Sequence, residues 1–476
     1  MKEMKTIDMK EMKTIDMKEA MRLVAEGTTV SAAQRHALQQ QRLRELVGYA
    51  REHSPYFAQH YADVPDDFTL TDLPYTEKAT LLEHYNDWVT DRELTLDGVL
   101  DYVARQGQQQ RGDQGLLLGR YSALCTSGST GNPLPMVRDD YHNKIHGAMM
   151  MQRLYNIGDQ EILNIARHKV ASVIHTSPNA SSYNGYLRTL AQFPQAAGNM
   201  MALSVLDSID DIVRRLNDFQ PEVLSGYASS LLLLAVEKEK GNLDIPVRLV
   251  TNSAELLTDD AYERISKAFG CPVINNYCMT EGGEIAMTNG CRHLHLNEDW
   301  VIVEPVDAQK RPMPVGSEAF SEGIFVTDLS NFVQPIIRYY VTDRVRITFN
   351  IQHSTLNTHH SCSPLPILQI DGRVMEPFTL CGKSFTMAAI VTKAEVWKGL
   401  LKYQMVQTGP ASMQVRGVCA ADADADSVLG SLAECLQAYF RESGCTEAVF
   451  TYSKEPLLHN AKGGKIPRYV KMKNER

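Results

Sequence analysis

Between residues 160 and 281, short apolar runs alternate with amphipathic stretches, and this alternation constrains the fold more than any other feature of the chain. The runs fall at 162–166, 200–205, 223–227, 249–252 and 273–277, and amphipathic stretches at 210–219, 229–240 and 259–269 lie between several of them. A short apolar run bounded by polar residues reads as a buried strand, and an apolar stripe at helical period reads as a helix resting one face on a sheet. Strands alternating with helices at this spacing predict βαβ units and a mostly parallel sheet. Ligands on such sheets bind outside the carboxyl ends of the strands. That rule gathers Gly226-Tyr227, Ser253-Ala254-Glu255 and residues 277–281 on one rim.

The flanking regions differ in texture. Leu38, Leu43, Leu46, Val47 and Tyr49 predict a helix over 34–52, ended by Ser54-Pro55. Residues 298–350 are β-like, with runs at 300–303, 323–327 and 344–349, and 352–363 is a Ser/His/Asn-rich loop. After Asp371-Gly372-Arg373 the pattern changes to a smaller α+β unit, with strands over 403–408 and 413–419 and a helix over 427–443. The alternating Ala and Asp of 420–426 read as a solvated connector. At the N-terminus MKEMKTID occurs twice, and Met17-Lys18-Glu19 starts a third copy, so 1–20 is expected to be a disordered extension. The expected partition is therefore 1–20, a large domain over 21–373, and a small domain over 374–476.

With 476 residues the chain has room for two or three domains, and its net charge of −9 argues against a nucleic-acid partner. The longest apolar run, 231–236, is too short to span a bilayer, and no secretory leader is read at the start. The expectation is a cytoplasmic protein without a membrane partner, its nine cysteines reduced or held as metal ligands.

Chemistry first appears at Cys125-Thr126-Ser127-Gly128-Ser129-Thr130-Gly131-Asn132-Pro133. Glycine permits backbone angles that let successive N–H groups converge on an anion, and the hydroxyls add short rotatable donors. The loop lacks the Gly-Lys-Ser/Thr ending of an ordinary P-loop NTPase. Taken alone it reads as a phosphate cradle or, equally, as a flexible Ser/Gly linker.

Four further segments, in order, turn this into a resemblance. They are Asn276-Tyr277-Cys278-Met279-Thr280-Glu281, Pro335-Ile336-Ile337-Arg338-Tyr339-Tyr340-Val341-Thr342-Asp343-Arg344-Val345, Asp371-Gly372-Arg373, and Gly463-Gly464-Lys465-Ile466-Pro467. With the loop, they resemble the motifs of acyl-adenylate-forming enzymes across residues 125–467. Ser54-Pro55-Tyr56-Phe57 and Asp72-Leu73-Pro74-Tyr75-Thr76-Glu77-Lys78 are similar to the phenylacetate–CoA ligase-like branch. The resemblance implies an α/β fold: a large adenylate-forming domain with mostly parallel sheets and a β-rich subdomain, plus a small mobile α+β domain. Asn132, Cys278, Thr342 and Val374-Met375 depart from the pattern, standing where lysine, glycine, glycine and aspartate are usual.

What the resemblance implies chemically is a reaction in two halves. A carboxylate attacks the α-phosphate of ATP, giving an acyl-adenylate and pyrophosphate, and the thiol of coenzyme A then displaces AMP. Thr126, Ser127, Gly128, Ser129, Thr130 and Gly131 would cradle the terminal phosphates, and Glu281 would hold Mg²⁺. Asp343 would accept the ribose hydroxyls, Tyr277 would stack on adenine beside Asn276 and Thr280, and Ser253, Ala254 and Glu255 would line the other face. Arg373 would reach in from the hinge, and Lys465 would bridge the carboxylate and the α-phosphate after domain rotation. Competing structural readings exist: Asp343 as an ion-pair partner of Arg344 or Arg346, Tyr277 as core packing, and Glu281 and Lys465 as surface charges.

The acid, expected to be aryl or arylalkyl, would enter a pocket lined by His175, Tyr183, Tyr227 and Ala254, with Tyr186 nearby. Cys291, His295, His360 and Cys362 would form a Cys₂His₂ zinc site, as in some relatives of that branch, or else are a free thiol and solvated histidines. Partners would be a small carboxylic acid and coenzyme A, or alternatively a carrier protein or an amine, and a second copy of the chain in a homodimer. A non-catalytic nucleotide-binding protein is the reading of another class, motivated by Asn132, Cys278 and Thr342.

Overall fold

Nine strands make the central sheet, in the order Val345–Thr348, Ile367–Ile370, Leu294–Leu296, Gly283–Thr288, Val273–Met279, Leu249–Ser253, Val223–Gly226, Val170–Ile174 and Met200–Ser204. The last five run parallel. The first four add on antiparallel. The computed structural model describes the chain apart from residues 1–13, 109–114, 127–133, 155–159, 177–180, 206, 289–290, 349–362, 372–377, 386–389, 391–392, 395–396, 398, 420–422, 459–468 and 472–476.

Helices Ile209–Phe219, Ala228–Glu239 and Asp259–Phe269 carry the chain back between parallel strands. Ser208 and Thr258 cap two of them by accepting from the N–H of Asp211 and Ala261, and left-handed Gln220 and Gly270 close the same two. Ile212, Leu216, Leu231, Leu234 and Ile265 pack with Leu224 and Val250 in one core. The parallel strands read from the alternation are thus present, with one substitution. Residues 162–166 contribute no strand; Gln160–Leu163 is a 3-10 turn, and the strand is Val170–Ile174. Asn164 explains the difference, since its side chain accepts from the N–H of Ala166 and offers the backbone a turn instead of a ladder.

A three-stranded antiparallel sheet, Val301–Val306, Gly323–Asp328 and Ile336–Val341, belongs to a second core. That core also takes in the N-terminal helices and the hairpin Ser122–Cys125/Pro135–Arg138. The segment 72–78 docks on its edge: the Thr76 N–H donates to the Arg338 carbonyl at 3.0 Å, and the Tyr340 N–H donates to that of Thr76 at 2.9 Å. Arg338, buried, forks onto Glu304 at 2.9 and 3.1 Å and also donates to the Leu73 carbonyl. This clamp sets the start of the helix Lys78–Glu83.

Helix Met17–Thr29 corrects the expectation of disorder over its part of 1–20. Asp16 caps it, Ala20 and Val24 are buried, and Lys144 Nζ donates to the Ile15 carbonyl at 2.7 Å. The third copy of the octad therefore opens a packed helix, while 1–13 lie outside the described residues. A third core has all its buried members between 378 and 450. It joins the helix Ala425–Glu442 to the sheet Val449–Ser453, Ser412–Cys419, Leu400–Gly409 and Tyr469–Lys471. The proposed partition at 373 falls in 372–377, outside the described residues.

Candidate active site

The carboxyl ends of Leu249–Ser253 and Val273–Met279 lie side by side, because Ser253 is in register with Asn276. Ala254 follows in the left-handed region at φ +66°, a conformation that costs a residue with a Cβ about 1–2 kcal/mol and that clusters at functional sites. Asn252 holds the turn by donating its amide to the Glu255 carbonyl at 3.0 Å and the Asn275 side chain at 2.7 Å. Glu255 turns one carboxylate oxygen to the Ser229 N–H at 2.8 Å. Its other oxygen and the Asn276 side-chain oxygen are buried without a hydrogen bond among the described residues. Buried acceptors are seldom left so, and two together on one rim mark a place for a ligand's donors.

Tyr277 points its hydroxyl at Asp343, donating at 2.5 Å. Burial, reinforced by the Asp343 carboxylate, holds the phenol well above its usual range, so it stays a donor. Arg344 pairs instead with Asp371 and Glu322, and Arg346 with Gln369. The ion-pair reading of Asp343 is therefore not what the fold uses. Asp343 keeps acceptor capacity beyond the single Tyr277 bond, as a group receiving a cis-diol must.

Glu281 sits at the turn after Val273–Met279, partly buried, and accepts from the Tyr339 hydroxyl at 3.2 Å. Burial pushes its carboxyl up, opposed by that hydrogen bond and by the Lys78 and Arg138 charges. Arg138 also donates to the Thr280 carbonyl at 2.6 Å, tying the hairpin to this turn. Beyond these bonds Glu281 retains oxygen lone pairs suited to a hard cation such as Mg²⁺. Thr126 closes the neck of the proposed phosphate loop: its N–H donates to the Leu134 carbonyl at 3.0 Å, and its hydroxyl accepts from the Leu134 N–H at 2.9 Å. Ser127, Gly128, Ser129, Thr130 and Gly131 lie outside the described residues, as do Arg373 and Lys465.

On the neighbouring rim, the His175 N–H donates to the Tyr227 hydroxyl at 3.1 Å, and Ser182 lies 3.3 Å from the same oxygen. Burial, with the Lys393 ammonium adding to it, holds His175 below the usual imidazole range. Tyr183 stacks on Tyr186 at 5.8 Å between ring centroids, so the structure brings His175 and Tyr227 together and pairs Tyr183 elsewhere. Half of the proposed zinc set is also assembled. Cys291 Sγ lies 3.2 Å from His295 Nε2, while His295 Nδ1 lies 3.0 Å from the Leu365 carbonyl. A donor bond from Nδ1 leaves Nε2 as the lone-pair nitrogen facing the thiol, the arrangement of a metal-bound histidine. His360 and Cys362 lie outside the described residues.

Sequence reasoning missed Arg138, Tyr339 and Lys78 around Glu281. Lys78 closes a segment already singled out, and Tyr339 stands inside another; the signal for their role was the pairing of those segments, which no single stretch carries. It also missed a buried polar cluster behind Glu281. His146 Nδ1 lies 2.7 Å from Glu284, and His142 and His146 face Asp328 and Ser330.

No family model matches the chain. Its fold is that of acyl-adenylate-forming enzymes. It superposes on 2-hydroxyisobutyryl-CoA ligase in complex with 2-HIB-AMP and CoA in the thioesterification state at TM-score 0.58 and 17% identity, covering 93% of this chain and 91% of that one. An open conformation of the same ligase gives 0.52 at 17%, covering 93% and 92%. In sequence the chain is 25% identical over 326 residues to Protein CapK of Staphylococcus aureus, covering 65% of this chain and 66% of that protein. It is 23% identical over 331 residues to phenylacetate-coenzyme A ligase of Thermus thermophilus, covering 66% of each. The matches span just under two thirds of the length of these curated relatives. The superpositions show the fold that the chain shares with 2-hydroxyisobutyryl-CoA ligase. Among the described residues no helix is long and apolar enough to cross a membrane.

Proposed function

We propose that this protein activates a carboxylic acid with ATP to an acyl-adenylate and passes the acyl group to the thiol of coenzyme A. The observation that carries the reading is the rim itself. Tyr277 and Asp343 form a donor–acceptor pair at the strand ends, and Glu281 stands four residues beyond Tyr277 with spare lone pairs. Asp343 would receive the ribose hydroxyls, and Asn276 and Glu255 would meet the adenine amine. Thr126 and the loop after it would hold the terminal phosphates. Glu281 would hold Mg²⁺, whose charge offsets that of the phosphates when it is bound.

Lys465, brought from a mobile unit over 374–476, would neutralise the carboxylate and the α-phosphate as negative charge shifts between them. His175, Tyr227 and Ala254 would line the acid pocket, with Tyr183 at its edge, and an aryl or arylalkyl acid suits that lining. The sequence similarity to a phenylacetate-coenzyme A ligase supports the same substrate class.

A pyrophosphate-release screen over aryl, arylalkyl and short-chain acids tests the first half-reaction, and thioester formation with free coenzyme A tests the second. Acid-dependent release followed by thioester is the expected result. Release without thioester moves the acceptor to a carrier protein or an amine. No acid-dependent release across the panel sinks the enzymatic reading and favours a nucleotide-binding homologue.

A further inference from the structure

The buried cluster behind Glu281 has the donors and spacing of a metal centre, and we propose that His142, His146 and Asp328 bind a structural zinc ion. The site is independent of the adenylating reading above. His142 and His146 stand one turn apart on the helix Asp140–Leu154, so both imidazoles leave the same face. Asp328 ends the strand Gly323–Asp328, and Ser330 follows two residues later. All four are buried, with His142 at 1%, His146 at 5% and Asp328 at 0% exposure.

Metal-ligating atoms of the two histidines and Asp328 lie within 4.8 Å of one another. His142 Nδ1 is 3.1 Å from one Asp328 oxygen, and His146 Nε2 is 3.4 Å from the other. Ser330 Oγ is 3.0 Å from His142 Nδ1 and 3.1 Å from His146 Nε2. Ligands bound to zinc at the corners of a tetrahedron are about 3.3 Å apart, given bonds of roughly 2.0–2.1 Å. The 3.0–3.4 Å separations lie near that edge, with the two histidines facing different oxygens of Asp328. Ser330, or a water displacing it, supplies the fourth corner.

Two further observations point to a ligand. The Asp328 oxygen that faces His142 is buried without a hydrogen bond among the described residues. Glu284 lies 2.7 Å from His146 Nδ1, so Nε2 is the nitrogen turned toward Asp328 and Ser330. Carboxylate–histidine–metal orientation of this kind is the usual outer partner of a bound zinc. The neighbourhood is built to hold that ring: Gly283 has φ +63°, and a Cβ on it would fall 2.1 Å from the His146 ring.

Two imidazoles with one carboxylate suit zinc over Mg²⁺ or Ca²⁺, which prefer all-oxygen shells. Complete burial leaves no open position for a substrate, so the ion is structural. It would tie the helix Asp140–Leu154 to the end of the strand Gly323–Asp328.

The experiment uses full-length protein, stripped with chelator and titrated with Zn²⁺ or Co²⁺. Metal per chain, the cobalt spectrum and the thermal midpoint are read for wild type, His146→Gln, Asp328→Asn and Cys291→Ser. Support requires one cobalt with d–d bands lacking sulfur-to-metal charge transfer, retained in Cys291→Ser and lost in His146→Gln and Asp328→Asn. Zinc should also raise the wild-type midpoint and leave that of His146→Gln unmoved. The near-isosteric changes keep the core filled, and circular dichroism confirms that each variant is folded. If no metal is retained, if every bound cobalt carries thiolate absorption, or if both folded variants bind as wild type does, the proposal is wrong.

Discussion

The strand-end rim at Tyr277 and Asp343 and the Arg338–Glu304 clamp use similar chemistry for opposite ends. At the clamp, Glu304 is 9% exposed, and Arg338 meets it through two charge-assisted bonds while also holding the Leu73 carbonyl. Nothing is left over, and the pair fixes where the segment 72–78 runs. At the rim, among the described residues, Asp343 has one hydroxyl partner, and Glu255 and Asn276 each keep an oxygen without one. A completed network rigidifies a core, whereas an incomplete one at a strand end holds acceptors ready for something that arrives later. The two regions meet at Glu281, whose neighbour Tyr339 sits next to Arg338 in the strand Ile336–Val341. The clamp thus positions what the rim uses.

This contrast can be broken by separating stability from nucleotide affinity. The largest effect is expected from Lys465→Ala, which should slow acid-dependent pyrophosphate release by on the order of 100-fold or more, as removing a transition-state charge partner does. Thioester formation from supplied acyl-adenylate should survive; equal loss of both halves would remove Lys465 from its adenylation role.

Arg338→Leu leaves Glu304 buried without its cation and should lower unfolding free energy by about 3 kcal/mol, measured in denaturant. At a temperature where the variant stays folded, ATP affinity should fall far less than stability does. Asp343→Ala should show the reverse, weakening ATP by roughly 30-fold for a loss of about 2 kcal/mol in charge-assisted bonds, with little change in midpoint. A large drop in stability with unchanged ATP binding would make Asp343 a structural residue. Tyr277→Phe removes one hydrogen bond worth about 1 kcal/mol and should cost about fivefold in ATP affinity.

The smallest effect concerns pH. Burial raises the Glu255 carboxyl above its ordinary value of 4.5 in the folded protein. The stability it contributes is therefore present below that ordinary value and lost as pH rises through the folded one. Glu255→Gln should raise the midpoint at neutral pH, and the gain should shrink toward pH 4; a gain independent of pH would remove the burial argument.

Much of the architecture was legible because periodicity is local. The runs at 200–205, 223–227, 249–252 and 273–277 became parallel strands, and the stretches 210–219 and 259–269 became capped helices, since apolar spacing and cap residues act within a few positions. Where a side chain competed for its own backbone, as Asn164 does, the reading failed by one element. The motifs named Tyr277, Glu281 and Asp343, but their geometry came from elsewhere: Asp343 meets Tyr277 across 66 residues, and Glu281 meets Tyr339 across 58. The helix over 17–29 was hidden because its cover, Lys144 and the helix Asp140–Leu154, is remote in sequence.

By itself the sequence determined the strand–helix alternation, the rim that alternation implies, and the order of motifs along it, since each depends on neighbours a few residues apart. Only the tertiary structure decided that Asp343 answers to Tyr277 and not to Arg344, that Thr126 closes the neck of its loop, and that His142, His146, Glu284 and Asp328 converge behind Glu281. Those outcomes rest on which buried polar groups meet across strands far apart in the chain, where burial makes each unmatched donor or acceptor costly and local pattern carries no record of the partner.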